Sequence, residues 1–172
     1  GTSRGLGDVY KRQPYEAFPG AIGVMPGIME VNKYKTREAE LAAAGGAALG
    51  PSPAGALPDS VCGPNGAYKD DCLRTIPPRE NGGNIDVQQM QIGTKMIFPC
   101  FIDGCGLFAG DIHYAQGDGE VSGTAIEMGS IVQLRVKILP GKGKEMDMPY
   151  VVGNDQIIDM EPTRYYQTIG IP

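Results

Sequence analysis

Alternating apolar and polar residues mark the most regular segment of the chain, which lies at 132–138. Every second residue there is apolar, and the residues between are Gln, Arg or Lys. This period of two predicts a strand with one face towards water, of the kind that pairs in antiparallel sheets. A second strand is predicted at 95–102, where Pro99 indicates a sheet edge or a bulge. Shorter strands are predicted at 21–25, 150–153 and 156–160, with a turn at 91–93.

A single helix is predicted at 28–44, where the sequence reads IMEVNKYKTREAELAAA. Good helix formers dominate this segment, apolar residues supply one side of it, and the glycine pair at 45–46 ends it. The range 47–72 is rich in Gly and Pro and shows no period, so it is predicted to be a loop. In 73–86 a double proline excludes a regular helix and a central strand, which leaves the polar side chains there on an irregular segment.

These elements define the expected fold class. The fold is predicted to be mainly β, with antiparallel sandwich or jelly-roll-like sheets, one helix near 28–44 and long Gly/Pro loops. Gly 26 and Pro 14 fit a loop-rich protein, while 41% hydrophobic residues are too many for a disordered chain. A length of 172 residues is enough for one domain of ordinary size.

Charge and hydropathy exclude several classes of partner. A net charge of -5 and a pI near 4.9 argue against nucleic acid, which is bound through Lys and Arg aligned with phosphates. The chain has no run of eighteen or more apolar residues and no signal segment at its start, so no membrane partner is expected. We therefore expect a cytoplasmic protein.

The four cysteines are predicted to be free, mostly buried thiols. Their spacings of ten and five residues fit neither a zinc ribbon nor a compact disulfide scaffold. Unpaired cysteine is usually a buried residue. The positions concerned are Cys62, Cys72, Cys100 and Cys105.

Residues 1–13 differ from the rest of the chain. They are basic, lack apolar periodicity and end in DVYKRQ, which resembles the translated end of a sequencing adaptor. We expect this segment to be a non-native extension without a packed role, and we exclude it from fold reasoning. An ordinary basic arm is the alternative. On the first interpretation, the native domain begins at Pro14 and covers 14–172.

The candidate site lies in the stretch 110–127, GDIHYAQGDGEVSGTAIE, which contains the single histidine of the chain. Residues two apart on a strand point to the same face, so Asp111 and His113 are able to reach one common point, as two metal ligands would. Asp118, Glu120 and Glu127 add further carboxylates. Several carboxylates in one place raise one another's pKa, which suits proton transfer at neutral pH.

Simpler interpretations of the same residues remain open. A histidine near acidic residues is commonly a capped or surface side chain, and one His with one Asp does not complete a zinc site. Asp118-Gly119 is also a typical hairpin dipeptide. Arg79 and Glu80 serve equally well as an ion pair that holds the proline-rich segment or as substrate-binding groups.

Five longer motifs resemble the acetamidase/formamidase family. They are AFPGAIGVMPG near the start, then PPRENGGNID, FPCFIDG, GDIHYAQGDGE and TAIEMG. The resemblance covers 14 to about 139 and weakens after Pro140. It implies that 14–172 is an internal part of a larger α+β amidase, with the helix at 28–44, the loop at 47–72 and a site-bearing β region at 73–139. It also implies hydrolysis of short-chain aliphatic amides, such as formamide and acetamide, to the acid and ammonia.

The resemblance implies a site with a divalent metal, zinc first and calcium second. Its motif positions in this sequence are Asn84, Asp86, Asp111, His113, Gln116, Asp118, Glu120 and Glu127. The expected metal ligands are His113, Asp111, Asp86 and Asp118. The expected catalytic residues are Glu120, Glu127 and Gln116, with Glu120 preferred over Glu127 as the proton carrier. The expected substrate contacts are Asn84, together with Phe108 and Tyr114 as aromatic residues that limit the chain length of the amide; the latter two rest on the expected shape of a small pocket.

The implied partner is a small amide, and a homo-oligomer is expected at full length. We also expect the 172-residue chain to be inactive alone. A different class of function stays open, namely a non-catalytic β-sandwich that binds a small ligand or calcium through Asp118 and Glu120.

Overall fold

A computed structural model describes residues 17–46 and 49–153 and contains two antiparallel sheets. The strands, in chain order, are β1 Phe18–Gly23, β2 Gly82–Asn84, β3 Lys95–Ile97, β4 Phe108–Ala115, β5 Ile126–Glu127 and β6 Tyr150–Val152. The larger sheet has the order β2-β1-β4-β5, and β3 pairs with β6 in the smaller one. The helices are α1 Ile28–Ala44 and α2 Asp59–Cys62, with short 3₁₀ helices at Pro53–Gly55, Asp118–Glu120 and Lys142–Glu145. Antiparallel pairing is confirmed, while the sandwich or jelly-roll arrangement stays a prediction.

Strand β1 lies at the centre of the larger sheet and carries part of the core. Phe18 and Ile22 point to the same side and are almost fully buried, as expected for residues that alternate along a strand. They pack with Val87 and Met90. Pro19 is tolerated in a central strand because β2 pairs only with Ala21 to Gly23, which leaves one side of Pro19 free of the β2 ladder.

Helix α1 spans Ile28–Ala44, which confirms the helix predicted from the sequence. Gly27 precedes it, and Gly45 ends it with a φ of 78°, a conformation that glycine adopts readily. Only Val31 and Tyr34 of the helix are buried. The phenol ring of Tyr34 lies close to the guanidinium groups of Arg37 and Arg79, at 5.5 and 5.4 Å from its centroid.

A partly buried network of charges attaches α1 to the segment before β2. Glu80 receives two hydrogen bonds from Arg37, at 2.9 and 3.1 Å, and pairs with Lys33 at 2.8 Å. Arg79 pairs with Glu38 at 3.3 Å. The sequence left open an ion pair between Arg79 and Glu80, but their partners in the structure lie on α1. The network therefore fixes the start of the segment that leads to Asp86.

The charge of Glu80 contributes to stability in a pH-dependent way. Burial alone would raise the pKa of Glu80, but hydrogen bonds from Arg37 and Lys33 lower it from 4.5 to about 2. A carboxyl with a lowered pKa stabilises the fold above the unfolded pKa and loses this contribution as the pH falls towards the folded value. This difference between the unfolded and folded pKa of Glu80 corresponds to about 3 kcal/mol in the free energy of unfolding.

We expect Glu80→Gln to lower the free energy of unfolding of the chain by about 3 kcal/mol at neutral pH. The deficit relative to the wild type should shrink as the pH falls from about 5 to about 2, because Glu80 becomes protonated as the pH approaches its pKa in the folded state. Denaturant titrations across that range measure it. Glu40→Gln, on the exposed side of the same helix, is the matched control and should show no such trend. A deficit that does not vary with pH would contradict this account.

Three sequence predictions need correction. The range 132–138 is exposed throughout and forms no strand, because no segment among residues 17–46 and 49–153 supplies its hydrogen-bonding partner. The strand predicted at 95–102 ends at Ile97, since Pro99 offers no N–H to a ladder. Within the predicted loop 47–72, a 3₁₀ turn and the short helix α2 form.

The cysteine prediction is wrong. Cys62 is bonded to Cys72 and Cys100 to Cys105, so none of the four is a free thiol. Turns in the intervening segments bring the Cα atoms to 5.9 and 4.8 Å, within the normal range for disulfides. Sequence spacing alone does not reveal such turns.

Several other predictions can be compared with the described residues. The turn at 91–93 is present, closed by a hydrogen bond from Thr94 N–H to the Gln91 carbonyl, and β6 confirms the strand near 150–153. Strand β1 starts three residues before the predicted 21–25. The extension at 1–13 and the strand at 156–160 lie outside the described residues. No helix in the described part of the chain is long and apolar enough to cross a membrane.

Candidate metal centre

The site is built around His113, which β4 places directly opposite Phe18 of β1. Strand β4 is paired on both sides, by β1 and β5, and the imidazole is fully buried. Its ring meets the Phe18 ring edge-on, with centroids 5.4 Å apart and an interplanar angle of 72°. Neighbouring strands and this ring contact therefore fix the direction of the imidazole.

Three carboxylates from two separate segments surround one nitrogen of this ring. From His113 Nε2 the nearest carboxylate oxygens lie at 3.2 Å on Asp111, 3.8 Å on Asp86 and 4.0 Å on Glu120. Asp111 is two residues from His113 on β4, whereas Asp86 follows β2 and Glu120 follows β4. The fold thus gathers residues that are up to 34 positions apart in the sequence.

The backbone of all three acidic residues has an unusual conformation. Asp86, Asp111 and Glu120 have φ values of 53°, 52° and 43°. Among the described residues only one other non-glycine residue, Cys105, has a positive φ. Such conformations cost about 1–3 kcal/mol each and are held by the surrounding structure, commonly at functional sites. The sequence did not reveal that three residues with this backbone conformation lie around one nitrogen atom of His113.

Gln116 lies behind the imidazole, on the side away from the carboxylates. Its side-chain oxygen is 2.7 Å from His113 Nδ1, and its amide nitrogen donates a hydrogen bond to the backbone carbonyl of Asp86. Both Gln116 and His113 are about 1% exposed or less. Gln116 thus connects the end of β4 with the segment that follows β2.

Gly20 is a site residue that the sequence analysis missed. A Cβ atom added there would lie 2.6 Å from His113 Nε2 and 2.8 Å from an Asp111 carboxylate oxygen. The Gly20 carbonyl also accepts hydrogen bonds from the backbone N–H groups of Ile85 and Asp86, at 2.9 and 3.0 Å. A glycine inside a strand pattern, as in FPGAIG, is the sequence signal for such close approach.

The other predicted site residues lie at varying distances from this cluster. Glu127 is exposed and pairs with His113 in the β4–β5 register, and its ligand atom lies within 4.8 Å of those of His113 and Glu120. Asn84 donates to the Ile76 carbonyl at 3.2 Å, so its amide is directed to the proline-rich segment. Phe108 and Tyr114 are partly exposed side chains of β4. Asp118 begins a 3₁₀ turn, and its side chain lies outside the described part of the structure.

The electrostatics of the cluster favour binding of a cation, whether a proton or a metal ion. Burial raises the pKa of Asp86 to about 7, with further contributions from Glu120 and Asp111. Burial would lower the pKa of His113, but the Gln116 hydrogen bond and the charges of Asp111, Asp86 and Glu120 raise it. The neighbouring carboxylate charges that favour a proton on Asp86 and His113 also attract a metal ion.

Comparisons with known proteins identify the family to which this chain belongs. A model of the Acetamidase/Formamidase family matches residues 2–172, so the chain belongs to this family. The match extends on both sides of the range 14–139 on which the sequence resemblance rested.

Individual relatives carry the same family names. An acetamidase of Mycolicibacterium smegmatis is 37% identical over 133 residues, which are 72% of this chain and 32% of that protein. A formamidase of Methylophilus methylotrophus is 32% identical over 130 residues, 70% of this chain and 31% of its own length. A solved gamma lactamase from Delftia acidovorans has a TM-score of 0.64 at 27% identity, covering 87% of this chain and 40% of that one. The chain thus spans about a third of the curated relatives it matches.

Proposed function

We propose that this chain contributes a divalent-cation site to an amidase that hydrolyses short-chain aliphatic amides, such as formamide and acetamide, to the acid and ammonia. The observation that carries the proposal is the convergence of Asp111, Asp86 and Glu120 on His113 Nε2. Family membership supports the reaction class, since relatives are named acetamidase and formamidase.

The donor atoms fit a metal ion in both distance and hydrogen bonding. Two zinc ligands at normal bond lengths and a tetrahedral angle are about 3.3 Å apart. The separations of 3.2, 3.8 and 4.0 Å from Nε2 lie near this value, so small side-chain shifts would bring the donors around one ion. His113 Nε2 and Asp86 Oδ1 are buried without a hydrogen-bond partner, and a bound ion would satisfy both.

The chemistry of the donor set favours zinc over calcium. Zinc accepts imidazole nitrogen together with carboxylate oxygen, whereas calcium prefers oxygen ligands throughout. His113, Asp86 and Asp111 would be the ligands. The role of Asp118 as a ligand stays a prediction.

An amide is unreactive because resonance protects its carbonyl, and its nitrogen leaves only once it is protonated. A bound divalent cation would supply an activated water with a pKa near 7 and would polarise the carbonyl oxygen. Glu120, half-buried beside the cluster, would accept a proton from the attacking water and return it to the amide nitrogen. Glu127 is the second candidate for this proton transfer because it lies opposite His113 in the β4–β5 register. It ranks after Glu120 because its side chain is exposed.

The small size of the substrate limits its affinity. Acetamide has four heavy atoms, and at about 1.5 kcal/mol per atom its binding energy does not exceed about 6 kcal/mol. We therefore expect millimolar binding, with rate acceleration from fixed charges rather than from tight substrate binding. Asn84, Phe108 and Tyr114 remain the proposed substrate contacts.

Ammonia release by the complete reading frame that contains this chain tests the proposal. Formamide and acetamide are the main substrates. A γ-lactam is added because one structural neighbour is named a gamma lactamase, and its hydrolysis is followed by the appearance of the ring-opened amino acid, since no ammonia is released. We expect turnover that is lost after EDTA treatment and restored by zinc. Ammonia release that survives complete chelation would contradict the metal mechanism.

Two further outcomes distinguish the alternatives. Zinc or calcium binding without turnover of any amide would favour a non-catalytic binding function and contradict the amidase proposal. Turnover by the isolated 172 residues would overturn the expectation that they are inactive alone. Homo-oligomer formation and a cytoplasmic location stay predictions.

A further inference from the structure

We propose that Gln116 is a positioning residue that keeps the proton of neutral His113 on Nδ1 and holds Asp86 against the same ring. The use of the free Nε2 as a ligand rests on the proposed function, but the proton position does not. The sequence analysis assigned Gln116 a catalytic role. Its position behind the ring leads to a different role, which is to select one of the two forms of the imidazole.

The orientation of the Gln116 amide follows from its two neighbours. One end of the amide faces the backbone carbonyl of Asp86, which is able only to accept a hydrogen bond. The amide NH₂ must therefore lie at that end, because the reverse orientation would bring two oxygens together. The side-chain oxygen then lies at the other end, 2.7 Å from His113 Nδ1.

The proton position on His113 follows from this orientation. The Gln116 oxygen is able only to accept, so Nδ1 must carry a hydrogen to form the short contact. In the neutral ring, Nε2 is then left with a bare lone pair. That lone pair points towards the oxygens of Asp111, Asp86 and Glu120, an arrangement that is favourable only with a cation between them.

Gln116 also couples the ring to the backbone of Asp86. This backbone has a φ of 53°, and its carbonyl accepts from Gln116 while its N–H donates to Gly20. One side chain therefore holds both His113, on β4, and Asp86, in the segment that follows β2. Because Gln116 is 1% exposed and contacts the ring on the side away from the carboxylates, it does not reach the space that a substrate would enter.

Nitrogen NMR of the histidine ring tests the proposal directly. The chain has a single histidine, so ¹⁵N-histidine labelling of the 172-residue chain gives the signals of His113 alone. The EDTA-treated chain is measured at alkaline pH, where the ring is neutral. We expect a protonated, pyrrole-type Nδ1 and an unprotonated, pyridine-type Nε2. A protonated Nε2 in the wild-type chain would overturn the proposal.

Two variants separate the hydrogen-bond acceptor from the volume of the side chain. Gln116→Glu keeps an acceptor for Nδ1 and should retain the proton there, although its second oxygen is unable to donate to the Asp86 carbonyl as the amide does. Gln116→Met keeps the volume without an acceptor and should lose the strict preference for Nδ1. Retention of the wild-type pattern in Gln116→Met would show that Gln116 does not select the form and would overturn the proposal. Circular dichroism confirms that each variant is folded.

Zinc titration of the same samples measures the consequence of positioning. We expect Gln116→Met to weaken zinc binding by about 10–100-fold, as is usual when the partner of a metal-bound histidine is removed. In the wild-type chain zinc should shift the Nε2 signal and leave Nδ1 protonated. If zinc leaves Nε2 unchanged, the proposed metal function fails, but the Nδ1 proton in the metal-free chain still decides the proposal on Gln116.

Discussion

Gly20→Ala is expected to weaken divalent-cation binding by about 10–100-fold, although residue 20 carries no ligand. The added methyl group would lie 2.6 Å from His113 Nε2 and 2.8 Å from Asp111, well inside van der Waals distance. The imidazole has little freedom to yield, since it is buried against Phe18 and hydrogen-bonded to Gln116. We also expect a loss of about 1–3 kcal/mol in the free energy of unfolding from overpacking.

Gly110→Ala is the matched control for this variant. Gly110 lies on the adjacent strand β4, and a Cβ atom added there meets no atom within 4 Å. Isothermal titration of the EDTA-treated chain with zinc compares the two variants with the wild type. Equal zinc affinities in all three proteins would show that the space beside Gly20 is not where the ion binds.

His113→Ala is expected to have the largest effect of any single substitution in this chain. It removes the single nitrogen ligand and leaves three carboxylates facing one another, so zinc affinity should fall by more than about 100-fold, beyond the effect of losing a supporting partner. Ammonia release by the complete reading frame should fall below detection, because the proposed water activation depends on that ion. Zinc titration of the chain and an ammonia assay on the complete reading frame measure the two effects.

The loss of a buried ring also lowers stability, and this effect needs a separate control. Met90→Ala removes a comparable volume from the core at a position outside the metal cluster, at a cost of about 2–5 kcal/mol. We expect Met90→Ala to be destabilised yet to bind zinc. Zinc binding that survives in His113→Ala would be incompatible with the proposed centre.

The sequence predicted the pair Asp111 and His113 better than it predicted the other residues of the site. Asp111 and His113 are two residues apart on a strand, and this local spacing was sufficient to predict that they meet. Asp86 entered only through the family resemblance, because no local pattern relates it to a residue 27 positions later. Gly20 was missed because only the folded structure shows that atoms of His113 and Asp111 occupy the space where a side chain would lie.

In the fold, too, features that depend on one segment were predicted, and features that depend on a second segment were not. Helix α1 has the predicted bounds because helix formers and the terminal glycines act within one segment. The alternation at 132–138 is equally clear, yet a strand also requires a hydrogen-bonding neighbour, and the described residues provide none there. The disulfides depend in the same way on turns that bring distant backbone atoms together.

The positive φ values at Asp86, Asp111 and Glu120 determine how these positions should be mutated. Asparagine tolerates a left-handed backbone, so Asp→Asn at the first two positions removes the charge with little steric effect. A β-branched replacement would add conformational strain to the loss of charge, and the two effects would be inseparable in one measurement. Over evolutionary time, the same restriction narrows the replacements open to these positions to residues that accept a left-handed backbone.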